Sequence, residues 1–206
     1  GLPAAATVIA VLPGSRLSEV RLMGPVFLDA CEEVQRRLET VTFVVPCLRP
    51  SIFEAVSALV AAHPALDVRL VHGNARMALS ACDAALVKSG TSTLEAMLLH
   101  RPMVVSYRLG ELTYRVVKGL LRTPYVALPN ILQGAELVPE LLQHEATPEA
   151  LAENLVAQLD KRAGDVEYLR SFESLHASLR QGADDRAAET VLDWLEGGRP
   201  AETAGG

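Results

Sequence analysis

Along the first 128 residues, short β-branched runs alternate with longer stretches whose apolar positions recur near every 3.6 residues. Thr7–Leu12 (TVIAVL) is apolar at every position but its first and is stopped by Pro13-Gly14, which predicts a strand. Ser18–Leu38 carries Val20, Met23, Phe27, Cys31, Val34 and Leu38 on one helical face, with a kink expected at Gly24-Pro25. The same reading gives strands at Val41–Val45, Val68–Val71, Ala84–Val87, Met103–Ser106 and Tyr125–Leu128. Between them it gives helices at Pro50–Ala62, Ala75–Ala81, Thr91–Leu99 and Leu112–Leu121. Strands that are apolar on both faces and separated by helices predict a Rossmann-like α/β fold: a parallel sheet covered by helices on each side.

Beyond Asn130 the alternation ends. Glu136–Gln143, Pro148–Lys161, Val166–Arg180 and Ala183–Leu195 all read as helices. Residues 1–146 are therefore expected to form the sheet domain. Residues 147–196 are expected as C-terminal helices packing on it or on a partner domain, and 197–206 as a disordered tail. The start at Gly1 suggests a cut inside a longer protein or a tag remnant.

Composition narrows the function. The 206 residues carry 19 Lys and Arg against 25 Asp and Glu, a net charge of −6, which argues against a general nucleic-acid binder. No apolar run approaches the ~20 residues that span a bilayer. Cys31, Cys47 and Cys82 are odd in number and widely spaced, as expected of reduced thiols in a cytoplasmic setting. The five histidines form no HxxxH or HExxH pattern, so no metal site is expected.

In an open parallel sheet, ligands bind beyond the carboxyl ends of the strands, and three of those turns carry unusual residues. The first is Pro13-Gly14-Ser15-Arg16. Gly14 permits a sharp turn, Ser15 and the following amides face a helix start, and Arg16 adds a fork of donors suited to phosphate. A plain capped turn with a surface arginine is the alternative. The second is Lys88-Ser89-Gly90-Thr91-Ser92-Thr93-Leu94-Glu95. Hydroxyl residues around a glycine at a helix start suit a diphosphate. Glu95, one turn in, could accept from two ribose hydroxyls or simply favour the helix dipole. Lys88 could add a counter-charge to phosphate, or be a solvated strand-end residue, the reading preferred on the sequence. The third is Leu128-Pro129-Asn130, where an amide at a strand tip could meet a sugar or phosphate edge, or form an Asx turn. Neither GxxxxGK[ST] nor a GxGxxG after the first strand is present.

LPGSRLSEV (12–20), VKSGTSTLEAML (87–98), RPMVVSYR (101–108) and PYVALPNIL (124–132) together resemble the lipid-A-disaccharide synthase family, over about Val8 to Trp194. The resemblance implies one half of a two-domain, B-type, inverting glycosyltransferase: the carboxyl-terminal half that binds the nucleotide sugar. The amino-terminal half, with the acceptor site and the base, has no counterpart in this sequence. The implied reaction moves 2,3-diacylglucosamine from UDP-2,3-diacylglucosamine to 2,3-diacylglucosamine 1-phosphate, forming lipid A disaccharide 1-phosphate and UDP. By the same resemblance, Gly14, Ser15 and Arg16 lie near the diphosphate and Ser89, Gly90, Thr91 and Ser92 cradle it. Glu95 holds the ribose, Asn130 lies near the donor sugar or phosphate, and Arg16 and Asn130 are the catalytic candidates. No cofactor or metal is implied. The implied setting is the cytoplasmic face of the inner membrane of a Gram-negative bacterium, with a homodimer that exchanges its C-terminal helices as a further expectation. The segment from Arg108 to Arg122 is basic and amphipathic, suited either to an anionic leaflet or to one buried and one solvated face. Alternatives are a UDP-N-acetylglucosamine 2-epimerase-like enzyme and a UDP-binding piece without catalysis.

Overall fold

The computed structural model describes residues 6–108, 124–180 and 182–195. Six parallel strands form one sheet in the order β3-β2-β1-β4-β5-β6. They are β1 (Thr7–Leu12), β2 (Val41–Cys47), β3 (Val68–His72), β4 (Ala84–Lys88), β5 (Met103–Tyr107) and β6 (Glu140–Leu142). The described helices, in chain order, are α1 (Leu17–Arg37), α2 (Pro50–Val60), α3 (Ala75–Ala81), α4 (Thr91–Leu98), α5 (Leu128–Gln133), α6 (Pro148–Gly164), α7 (Val166–Leu179) and α8 (Ala183–Leu195).

Alternation along β1 divides the core into two. Ile9 and Val11 join Phe27 and Cys31 of α1, Ile52 of α2 and Leu151 and Leu155 of α6 on one face. Val8, Ala10 and Leu12 join Leu79 of α3, Met97 of α4 and Phe172 of α7 on the other. This two-sided burial explains why the strands read as unbroken apolar runs. It also places α6 and α7 on this chain's own sheet. A charged tie adds to the packing of α6: Arg162 pairs with Asp83, whose other carboxylate oxygen accepts the Val8 amide at 2.8 Å.

α1 runs through Gly24-Pro25 as one helix. A Cβ at Gly24 would lie 2.5 Å from Leu59 Cδ1, so the glycine lets α2 pack closely. On α8, Val191, Leu192 and Trp194 are exposed.

Two expectations fail between Tyr125 and Gln143. Tyr125–Leu128 is not a strand; Leu128 begins helix α5, with Pro129 in its first turn, where a missing N–H costs nothing. Glu136–Gln143 is not a helix; Glu140–Leu142 is the edge strand β6, followed by a 3-10 turn at Gln143–Glu145. Pro139 disfavours helix at Val138, and pairing of β6 with β5 decides the rest. The expected helix Leu112–Leu121, most of the basic segment, and the tail 197–206 lie outside the described residues. Arg108 is described, and its guanidinium donates to the carbonyls of Gln143 and Ala146 at 3.3 and 2.5 Å. Among the described residues, no helix is long and apolar enough to cross a membrane.

Candidate nucleotide-sugar site

β1 and β4 are neighbours, and their register sets Leu12 beside Val87. The two strands thus end level, and the turns that follow stand side by side. Between them opens a cavity of about 610 Å³, lined among others by Gly14, Ser15, Arg16 and Glu19 from the first turn. Lys88, Ser89, Gly90, Thr91, Ser92 and Glu95 line it from the second, and Pro46, Leu48 and Gly73–Ala75 close the side toward β2 and β3. Eight of the nine residues expected from the sequence line this one cavity; Asn130 does not.

The second turn keeps its donors open. Gly90 has φ +157°, and a Cβ there would meet nothing, so the backbone and not crowding requires glycine. Thr91 and Ser92 open α4, so their amides have no intrahelical acceptor and face the positive end of the helix dipole. Their hydroxyls have no partner among the described residues. The carboxylate of Glu95, half-buried on the cavity wall, likewise has none.

Ser89 is different. Its amide donates to the Ser106 carbonyl at 2.9 Å and its hydroxyl to the Val126 carbonyl at 2.9 Å. With both donors engaged, Ser89 anchors the turn and has none left for a phosphate. Thr93 is similarly committed, donating to the Gly90 carbonyl at 2.7 Å.

The first turn is built differently from its sequence expectation, and Glu19 is the reason. Glu19 Oε2 accepts the amides of Ser15 at 2.9 Å and Arg16 at 3.3 Å. Glu19 Oε1 accepts from Arg16 Nη1 at 3.2 Å and from Lys88 Nζ at 3.1 Å. The Ser15 and Arg16 amides of the PGSR turn are therefore filled by the protein's own carboxylate; the charged group this turn offers a ligand is the Arg16 guanidinium, 77% exposed. Gly14, at φ +135°, lies so close that a Cβ would approach Glu19 Cβ to 2.5 Å. Burial opposes ionisation of Glu19, but the bonds from Lys88, Ser15 and Arg16 outweigh it and hold the carboxyl below its ordinary range. The spacing of Arg16 and Glu19, N-cap and third helical residue, is that of a capping box and could have revealed this.

Lys88 is not a solvated strand-end residue. Its side chain is 15% exposed, pairs with Glu19 across 69 positions of sequence and lies 4.6 Å from the centre of the Tyr107 ring. No signal near Lys88 in the chain announces that partner.

Asn130 is also reassigned. It is fully buried, and its amide is saturated from within. Nδ2 donates to the Val138 carbonyl and to Glu140 Oε1, both at 2.8 Å. Oδ1 accepts the amides of Leu137 and Val138 at 2.8 and 2.9 Å. Glu140 also accepts the amides of Val126 and Ala127 at 2.8 and 2.9 Å, which joins this knot to the carbonyl that Ser89 holds. With no side-chain donor or acceptor to spare, Asn130 is a rivet behind the cavity.

Among the described residues, no group of three or more His, Cys, Asp or Glu could hold a metal.

The sequence matches the family model described as lipid-A-disaccharide synthetase over residues 1–191. The chain belongs to the lipid-A-disaccharide synthase family. It is 49% identical over 200 residues to the lipid-A-disaccharide synthase of Burkholderia mallei (strain SAVP1), covering 97% of this chain and 52% of that protein. It is 50% identical over 196 residues to that of Burkholderia vietnamiensis (strain G4 / LMG 22486), covering 95% and 50%. The chain thus spans about half the length of the curated synthases it matches.

Solved structures show the same fold at low identity. WaaG, a glycosyltransferase involved in lipopolysaccharide biosynthesis, superposes with a TM-score of 0.55 at 15% identity, over 95% of this chain and 48% of that one. The E. coli ADP-heptose heptosyltransferase II gives 0.54 at 17%, over 79% and 49%. Similarity to about half of each such chain fits one Rossmann-like half of a B-type glycosyltransferase.

Proposed function

We propose that this chain is the donor-binding half of a lipid-A-disaccharide synthase, and that its cavity takes the UDP portion of UDP-2,3-diacylglucosamine. The reading rests on one observation: the Arg16 turn and the open start of α4 line a single cavity at the carboxyl edge of the sheet. The Thr91 and Ser92 amides supply a fixed partial positive charge to a diphosphate, and Arg16 supplies a mobile full one. Glu95 accepts from the ribose hydroxyls.

In the proposed transfer, the acceptor hydroxyl of 2,3-diacylglucosamine 1-phosphate attacks the anomeric carbon from the face opposite the diphosphate and gives its proton to a base. The bond between that carbon and the β-phosphate oxygen breaks, and its electron pair stays on UDP. Negative charge grows on that phosphate, where donors set in advance contribute most. The acyl chains of both substrates place the reaction at a membrane surface, proposed to be the cytoplasmic face of the inner membrane.

Calorimetry with UDP on the 206-residue chain tests donor binding. Glu95→Gln should weaken UDP, because an amide cannot accept from two hydroxyls with both its heavy atoms. Arg16→Ala, in a protein carrying both halves of the synthase, should lower turnover by ~10²–10³. Absence of UDP binding at millimolar concentration would overturn the reading.

A further inference from the structure

Glu19 and Lys88 are the two charged groups of the cavity that the proposed function leaves unused. Lys88 has three donors; one goes to Glu19 Oε1 at 3.1 Å, and the nitrogen sits over the face of Tyr107. Arg16 has five donors and spends one of its side-chain donors on the same oxygen, at 3.2 Å. A single carboxylate oxygen therefore gathers two cations, one from each turn, and leaves each with donors to spare. The other oxygen is held by two backbone amides of the turn, so the carboxylate is part of the scaffold. A bare carboxylate so close to a diphosphate would repel it. This one is neutralised by its two cations and two amides. Alone, two cations meeting at one place would repel each other and turn toward water; Glu19 removes that repulsion.

We propose that Lys88 is a second cation for the donor diphosphate, and that Glu19 is the positioning residue that presents Lys88 and Arg16 together to it. This rests on the diphosphate occupying the cavity, and the test separates the two claims. UDP and uridine are titrated against the 206-residue chain by calorimetry and NMR, for the unaltered protein, Lys88→Met, Lys88→Arg, Glu19→Gln and the Lys88→Met/Glu19→Gln pair. Unliganded melting curves confirm that each is folded.

Lys88→Met should weaken UDP about tenfold, as loss of one charge-assisted hydrogen bond does, while leaving uridine unchanged. Lys88→Arg should restore most of the loss. Glu19→Gln should weaken UDP several-fold in the unaltered background and much less once Lys88 is gone, because it acts partly through Lys88. A purely structural role for Glu19 would weaken uridine and UDP alike and give additive effects, which would overturn its part of the proposal. Should the unaltered chain prefer UDP to uridine while Lys88→Met keeps the whole preference, Lys88 has no role and the donor reading survives. Should the unaltered chain show no preference for UDP, the diphosphate site itself is wrong and this inference goes with it.

Discussion

Replacing Asn130 by alanine separates a rivet from a ligand contact. The side chain is fully buried and makes four hydrogen bonds of 2.8–2.9 Å, to Val138 at both its amide and carbonyl, to the Leu137 amide and to Glu140. Val138 is itself fully buried, so two of its backbone groups lose their partner where water cannot easily replace it. Each orphaned buried group costs ~1–3 kcal/mol, giving ~2–6 kcal/mol for Val138 alone. Leu137 and Glu140 are partly exposed and can recruit water, so they add little. A chain of this size shifts in Tm by ~2–4 °C per kcal/mol, so Asn130→Ala should melt ~5–20 °C lower. Differential scanning calorimetry gives the shift. At a temperature where the variant remains folded, its UDP affinity should stay within a few-fold of the unaltered chain. A variant that melts normally but binds UDP ten times more weakly would refute the rivet and return Asn130 to the ligand.

Three further outcomes follow from single sites. Gly14→Ala should lose ~1–3 kcal/mol from the positive φ alone, and more because its Cβ meets Glu19, whereas Gly90→Ala, with a positive φ but open space around it, should lose only the backbone part; comparative thermal melts decide. Glu19 ionises more easily folded than unfolded, so its contribution is complete above the ordinary glutamate range and fades as pH falls through the lowered folded value. The Tm gap between the unaltered chain and Glu19→Gln should then hold from pH 8 to pH 5.5 and close below about pH 4.3; a gap that widens toward acid contradicts the sign. Burial pushes the thiols of Cys47 and Cys82 up to about 11 and that of Cys31 higher still. A disulfide reagent at pH 8 should therefore titrate none of them in the native chain and all three in guanidinium.

Strands β1, β2, β4 and β5 were legible because both faces of each are covered, which gives long apolar runs such as Val8–Leu12 and Ala84–Val87; the edge strand β3 was marked by its β-branched Val68 and Val71 although Arg69 and His72 are exposed. The opposite edge, β6, was not legible. Leu141 of β6 owes its place to contacts made 35 residues away, including the Ser106 hydroxyl donating to its carbonyl at 2.8 Å. The same distance effect divides the site. Gly14, Thr91, Ser92 and Glu95 could be read because local features mark them: a glycine after a strand, hydroxyls at a helix start, a carboxylate one turn in. Ser89 looked like a donor because nothing nearby shows that Val126 takes its hydroxyl. Lys88 looked solvated because its partner lies 69 residues upstream. Glu19 was the one miss with a local signal, since the N-cap to third-residue spacing stands in the sequence itself.

The cavity's location follows from topology before any of its residues matter. β1 sends its chain to α1 on one face of the sheet, while its neighbour β4 sends its chain to α4 on the other. Adjacent strands whose crossovers leave in opposite directions cannot close the gap above their carboxyl ends, and that gap is the ligand crevice of an open parallel sheet. The sequence then fills its two rims unequally. At α1, Glu19 takes the Ser15 and Arg16 amides and the Arg16 side chain carries the charge; at α4 the helix start is left open behind Gly90, with Lys88 just before it. One rim thus supplies a full charge and the other supplies fixed backbone dipoles beside a second full charge, both cations held by the half-buried Glu19 carboxylate. A ligand with two linked phosphates can meet both rims at once, whereas a single phosphate can be held fully by only one, which is why a diphosphate suits this cleft.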